Sequence, residues 1–232
     1  MNLDDKKIFC VIPSYNEQGR IKKTIRDVKK IIKNIVVVDD GSSDKTYEEA
    51  KESDVIVLRH VINRGQGAAL QTGNQFAYDN GAEIAVHFDA DGQFLANEIR
   101  GLLKPLLDNE CDISLGSRFI RGVPKMPWTK KYILFPIARL VNYVLLGVKL
   151  TDPQSGFRAF NRKAMENIVI KQDGSAHCSE ILYKANINGL QIKEVPMTVI
   201  YNEYGQSLFY GKGRKKGGIQ IIKDLLLAKI MQ

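Results

Sequence analysis

The sequence is poor in cysteine and in long apolar runs, and one stretch of it has no acidic residue at all. Three cysteines, Cys10, Cys111 and Cys178, stand in 232 residues, an odd number, widely spaced, with no CxxC pair and no histidine at zinc-finger spacing. That usage argues against a disulfide framework and for a reducing cytosol. Cys10 and Cys111 fall in or beside apolar runs, where a thiol serves as a small core residue. No run reaches the roughly 18 consecutive apolar residues of a membrane-spanning helix. The nearest, Tyr132 to Leu150, is broken by Pro136, Arg139, Asn142 and Lys149. The start, Met1 to Lys7, has no apolar stretch of the signal-peptide kind. From Ile113 through Thr151 there is no Asp or Glu, against Arg118, Arg121, Lys125, Lys130, Lys131, Arg139 and Lys149.

What is present is an ordinary globular composition, 44% hydrophobic and 26% charged, with 34 Lys and Arg against 26 Asp and Glu for a net charge of +8. The length suits one large α/β domain with an appended arm. The surplus positive charge favours phosphates, nucleic acid or an anionic membrane surface.

Short apolar runs at Ile8–Ile12, Ile35–Val38, Val55–Leu58, Ile84–Phe88 and Ile113–Leu115 read as strands. They are continuous rather than alternating, as in a sheet covered on both faces. Between them Gln18–Ile32, Lys45–Ser53, Gly65–Asn80 and Leu95–Asn109 have helical spacing. This β-α-β-α order predicts a mostly parallel sheet with ligands beyond the carboxyl ends of its strands. In the acid-free stretch Trp128, Tyr132, Phe135 and Tyr143 alternate with aliphatics. It reads either as a basic amphipathic segment at a membrane interface or as a core-packing helix with solvated lysines. A helix from Ser179 to Asn188, a strand or two from Leu190 to Tyr201 and a basic helix from Gly218 to Ile230 complete the chain.

Polar clusters follow the strands. Asp89-Ala90-Asp91-Gly92-Gln93 offers two carboxylates two apart, able to share Mg²⁺ or Mn²⁺ and leave positions open for a diphosphate. The plainer reading is a turn that caps the next helix. In Pro13-Ser14-Tyr15-Asn16-Glu17 the tyrosine can stack on a planar base and Glu17 can accept from sugar or base; alternatively Ser14 or Asn16 is an N-cap. One of Asp39 and Asp40 should face the cleft, while Ser43 or Asp44 caps a helix. Asn63-Arg64-Gly65-Gln66-Gly67 does not fit GxGxxG, and its small residues suggest close packing, with Arg64 able to touch phosphate. His87 sits inside a strand as a core residue, His177 near Ser179 and Glu180 hints at proton transfer but is more commonly a surface or helix-start residue, and His60 is uninformative.

VIPSYNE, VVDDGSSDKT, NRGQGAALQTG, DADGQF, GSRF and DPQSGFRAF, in this order, resemble family 2 inverting glycosyltransferases of the GT-A fold, over roughly Ile8 to Tyr201. Within that family the chain is similar to the dolichol-phosphate mannose synthase group, which moves a sugar from a nucleotide donor to a polyprenyl phosphate. The resemblance implies one Rossmann-like GT-A domain over 1–232, with a donor-binding half at about 8–116 and an acceptor and membrane half at about 117–232. It makes Pro13, Tyr15, Glu17 and Asp40 the nucleotide pocket. Asp89, Asp91 and Gln93 become ligands of Mg²⁺ or Mn²⁺, with Ala90 beside the donor. Arg118 would meet the donor diphosphate or the acceptor phosphate. Ser155 and Arg158 would contact phosphate, or Arg158 would pair with an acid such as Glu180. Arg139 would bind the lipid phosphate.

The group's Arg and Ser-Lys pair is missing from Tyr201–Leu208, which leaves Lys212, Arg214, Lys215 and Lys216 as substitutes and the sugar open. With no spanning helix appended, the enzyme is expected to be peripheral at the cytoplasmic face of a membrane. The implied reaction is single displacement with inversion, GDP-mannose or a UDP-sugar being the donor. A hydroxyl acceptor would need a base, for which Asp152 is the candidate. Three other readings fit parts of the pattern: a soluble family 2 transferase acting on a polysaccharide or protein, a sugar nucleotidyltransferase, and a nucleic-acid binder. Ordered acid-rich loops suit the last poorly, so no nucleic-acid partner is expected.

Overall fold

A computed structural model describes residues 6–121, 143, 147 and 149–200. Among the described residues seven strands form one sheet: β1 (Ile8–Ser14), β2 (Asn34–Asp39), β3 (Ile56–Arg59), β4 (Ile84–His87), β5 (Ile113–Ser117), β6 (Arg158–Asn161) and β7 (Ile192–Pro196), in the order β3-β2-β1-β4-β6-β5-β7. The helices are α1 (Ile21–Lys29), α2 (Thr46–Lys51), α3 (Gln66–Asp79), α4 (Ile99–Leu107), α5 (Arg162–Asn167) and α6 (His177–Ile187).

β1 is buried along all seven residues, which explains its unbroken apolar run. Successive side chains take opposite faces of the sheet. Cys10, Ile12, Ile35, Val37 and Val86 pack with Ile21, Ile25 and Val28 of α1 and with Leu102 and Leu103 of α4. Phe9, Val11, Val36, Val38 and Ala85 pack on the other face with Ala69, Leu70 and Ala77 of α3 and with Ile181 and Ala185 of α6. Gly73 lets α3 lie this close, since a Cβ there would stand 2.2 Å from Val11 Cγ1. β3 is the edge, and its residues are only partly covered.

Parallel pairing of β1 with β2 and β4, of β2 with β3, and of β5 with β7 agrees with the β-α-β-α grammar. The sequence reading missed β6, which runs antiparallel between β4 and β5. Its direction matters for function. An antiparallel strand begins where its parallel neighbours end, so Gln154–Phe157, leading into β6, is delivered beside the residues that follow β4. The cysteines are all free and buried. Burial raises the Cys10 thiol far above its ordinary value, and lifts Cys111 to about 11.

No helix among the described residues is long and apolar enough to cross a membrane. Arg139, the stretch Tyr201–Leu208, the Lys212–Lys216 cluster and the Gly218–Ile230 helix lie outside the described residues.

Candidate active site

The polar clusters meet over the carboxyl ends of the strands in a cleft of about 480 Å³. Pro13, Tyr15, Glu17, Asp40, Asp89, Ala90, Asp91, Gln93, Arg118 and Ser155, ten of the residues expected from sequence, line it together.

At the β1–β2 end, the loops are tied to one another before any ligand arrives. Asn16, at a φ of 54°, accepts the Ser43 N–H at 3.0 Å on its side-chain oxygen and donates its own N–H to Ser42 Oγ at 3.0 Å. Glu17 N–H donates to Thr46 Oγ1 at 2.7 Å, and the Glu17 carboxylate pairs with Arg20 Nε at 2.6 Å. Burial lifts the Glu17 carboxyl to about 7, Arg20 opposing and Asp91 adding to the rise. Tyr15 is 42% exposed, so its ring is open to solvent at the cleft wall. Of the two aspartates after β2, Asp40 lines the cleft, while Asp39 is fully buried beside Arg59 Nε at 3.1 Å. Asp40 accepts the N–H of Arg64 at 3.0 Å on Oδ1 and of Gly65 at 2.6 Å on Oδ2, which folds the Asn63–Gly65 turn around it.

At the end of β4 the chain turns outward at Asp89. Thr24 Oγ1 donates to the Ala90 carbonyl at 3.1 Å, pinning the turn to α1, and Gln93 N–H donates to Asp91 Oδ1 at 3.0 Å. Asp89 Oδ1 accepts from Gln66 Nε2 at 2.8 Å. Gly156 crosses over the same carboxylate so closely that a Cβ would lie 2.9 Å from Asp89 Oδ2. Both aspartates are pushed above the usual carboxylate range by burial, and Asp89 further by the charge of Asp91. Among the described residues no group of three or more His, Cys, Asp or Glu is disposed to hold a metal. Among the described residues the donors at this turn are two hard carboxylates, Asp89 and Asp91. That set fits Mg²⁺ or Mn²⁺ sharing its shell with substrate oxygens, because a divalent cation would offset the burial that raises both carboxyls and the charge of Asp91 that raises Asp89 further.

Across the cleft Arg118 follows β5. Its Nε and Nη2 donate to Asp152 Oδ2 and Oδ1 at 2.6 and 2.7 Å, and its N–H to Oδ2 at 3.2 Å. Asp152 is 2% exposed and does not line the cleft. Its backbone N–H and that of Thr151 donate in turn to Glu194 on β7 at 2.9 and 2.8 Å. With both oxygens taken by Arg118, Asp152 is placed to orient the guanidinium rather than to take a proton from an acceptor.

Arg158 is likewise not in the cleft lining. It opens β6 at 0% exposure, Nε donating to the Ser155 carbonyl at 2.6 Å, and neither Nη has a hydrogen-bond partner among the described residues. Glu180 is not its anchor: that carboxylate accepts the N–H groups of Lys171 and Gln172 and the Lys184 ammonium. Arg158 acts instead as a buried cation. Burial disfavours a thiolate at Cys178, but Arg158 and then His177 outweigh it and bring that thiol well below its ordinary value.

Asn63 and Gln66, from the cluster after β3, and Gln154 also line the cleft, as do His177 and Cys178, which sequence reasoning did not place there. His177 does start a helix, but buried at 2% rather than on the surface, with Nδ1 2.8 Å from the Gly174 carbonyl. His87 is core, as expected: 1% exposed, 2.8 Å from Asn74 Oδ1, and held neutral by burial. Gly67 admits the 171–175 loop, since a Cβ would stand 2.0 Å from the Gln172 carbonyl oxygen.

The family model for glycosyl transferase family 2 matches residues 9–169. A UDP-N-acetylglucosamine–dolichyl-phosphate N-acetylglucosaminyltransferase of Methanococcus voltae is 36% identical over 88% of this chain and 89% of its own. A polyprenol monophosphomannose synthase of Mycolicibacterium smegmatis is 30% identical over 93% of this chain and 86% of its own. In structure the chain is similar to glucosyl-3-phosphoglycerate synthase of Mycobacterium tuberculosis, crystallised with Mn²⁺, uridine diphosphate and glucosyl-3-phosphoglycerate. The TM-score is 0.71 at 19% identity, over 97% of this chain and 81% of that one. The likeness in structure bears out the GT-A fold, and the matched segment runs from the second residue of β1 through β6. This chain belongs to glycosyl transferase family 2.

Proposed function

We propose that the protein transfers a sugar, with inversion, from a nucleoside-diphosphate sugar to a polyprenyl phosphate, working peripherally at the cytoplasmic face of a membrane. The observation that carries this reading is the meeting of Asp89 and Asp91 with Tyr15, Glu17 and Asp40 on one side and Arg118 on the other, in a single cleft. In this reading Tyr15 stacks on the base, and Asp40 and Glu17 take hydrogen bonds from base or ribose. Asp89 and Asp91, with Gln93 beside them, would hold Mg²⁺ or Mn²⁺, which when bound supplies positive charge next to the departing diphosphate.

The chain's own residues do the rest. Arg118, fixed by Asp152, faces the phosphates as charge builds on the leaving group. Gln66 and Gly156 confine the Asp89 carboxylate. An acceptor phosphate is anionic at neutral pH and needs no general base, which agrees with the tie of Asp152 to Arg118. Attack on the anomeric carbon then depends on positioning, by Ser155 and by Arg139. Arg158 supports the site from beneath, offsetting the charge of Asp89. The names of the two curated relatives support a polyprenyl-phosphate acceptor, and the acid-free basic stretch Ile113–Thr151 supports a seat on anionic lipid.

The test is incubation with Mn²⁺ or Mg²⁺, a panel of UDP- and GDP-sugars and a short polyprenyl phosphate, with extraction of lipid-linked sugar. One donor should give product that disappears with EDTA. Transfer only to free hydroxyl acceptors, or none from any donor, would overturn the proposal.

A further inference from the structure

His60 has no part in the chemistry described so far, yet it stands directly behind Asp40. Its Nδ1 lies 2.7 Å from Asp40 Oδ1 and its Nε2 2.9 Å from Thr72 Oγ1. Both side chains of the pair are nearly enclosed, at 11% and 3% exposure. A carboxylate can only accept, so Nδ1 carries the proton; a neutral ring then accepts the Thr72 hydroxyl proton on Nε2. Asp40 thus receives three donors from the protein: His60 Nδ1 and Arg64 N–H on Oδ1, Gly65 N–H on Oδ2. A carboxylate has about four acceptor positions, so one remains. Asp40 lines the cleft, and the open position belongs to Oδ2.

We infer that His60 is a positioning residue for the donor. By filling Oδ1 from behind and leaning on Thr72 of α3, it fixes the rotation of the Asp40 carboxylate so that one lone pair of Oδ2 meets a single N–H or O–H of the nucleoside. The two backbone donors alone hold the carboxylate only through the Asn63–Gly65 turn, which is exposed apart from Gly65. His60 ties it to the helix behind. The consequence is selective: losing His60 weakens nucleoside binding and leaves the reacting end, Asp89, Asp91 and Arg118, in place. The inference rests on the reading of Asp40 as a nucleoside contact, and the experiment separates the two.

Asparagine places an amide N–H where Nδ1 was, while glutamine reaches toward the Nε2 position. His60→Asn should therefore keep the donor to Asp40, and His60→Gln and His60→Ala should lose it. Affinity for UDP and for GDP, each with Mn²⁺, is measured by calorimetry for these variants and for Asp40→Asn, with melting temperatures. KM for the active sugar donor and kcat follow. Expected for His60→Gln and His60→Ala is a roughly tenfold loss of affinity for the preferred nucleotide and a matching rise in KM, with kcat within about threefold. His60→Asn should stay within about threefold of wild type in affinity. If His60→Gln binds as well as His60→Asn, or if the variants lower kcat or melting temperature and leave affinity alone, His60 is only structural. If Asp40→Asn itself leaves affinity unchanged, the nucleoside role of Asp40 fails and His60 falls with it.

Discussion

Replacing Gly156 by alanine is a sharp probe, because the three atoms nearest the added methyl group all belong to the Asp89 carboxylate. The new Cβ would lie 2.9 Å from Asp89 Oδ2 and 3.4 Å from Oδ1, where ordinary contact begins near 3.4 Å. The Asp89 carboxylate must therefore retreat by about half an ångström. It cannot do so freely, since Oδ1 is held by Gln66 Nε2 at 2.8 Å. A divalent cation held by Asp89 and Asp91 would be bound less well after such a shift of one of its carboxylates. Misplacement by about 1 Å costs on the order of 100-fold in rate, so half that distance predicts roughly a tenfold loss of transfer and a higher Mn²⁺ requirement. Gly156 is not among the glycines at positive φ, and alanine there lowers unfolded-state entropy, so stability should change by less than about 1 kcal/mol. Initial rates across a Mn²⁺ titration, with thermal melting alongside, measure both effects. Wild-type rates at every metal concentration would refute the placement of Asp89 at the reacting centre.

Three further outcomes follow from the same geometry. Asp152→Asn removes the carboxylate that holds Arg118 in two hydrogen bonds and should cut kcat/KM at least tenfold by steady-state kinetics, a loss the base role alone would confine to hydroxyl acceptors. Gly73→Ala drives a methyl to 2.2 Å from Val11 Cγ1 and should cost about 1–3 kcal/mol in urea unfolding. Glu17, buried and raised to about 7, binds a proton more tightly folded than unfolded. Its contribution is present below the unfolded value near 4.5 and is lost as pH rises toward 7. In EDTA, Glu17→Gln should thus melt higher than wild type above pH 7, by about 1 kcal/mol or more, and the gap should close near pH 5.

Much of this was legible in the sequence because the parallel strands are apolar on both faces and their polar sequels all fall at one end. The spacing of strand and cluster set Tyr15, Glu17, Asp89, Asp91 and one of Asp39 and Asp40 around one cleft, and the family resemblance chose Asp40. β6 was not legible. It opens with Arg158, a charged residue that local pattern assigns to a loop, and its burial between β4 and β5 is a tertiary outcome. The same limit hid the partners of Arg118 and Asp40. Asp152 lies 34 residues beyond Arg118, and His60 lies 20 beyond Asp40, so neither pairing leaves a periodicity to read. His177 was correctly seen as a helix start, but its place in the cleft depends on the 171–175 loop folding over Gly67.

The central claim is that Asp89 and Asp91 hold the cation on which transfer depends. It is tested most directly by transfer from the active nucleotide sugar to a short polyprenyl phosphate, titrated with Mn²⁺, for wild type and Asp91→Ala of equal melting temperature. The account predicts saturable metal dependence in the wild type and loss of at least 100-fold in the variant; a folded Asp91→Ala protein that still transfers sugar in a metal-dependent way would contradict it.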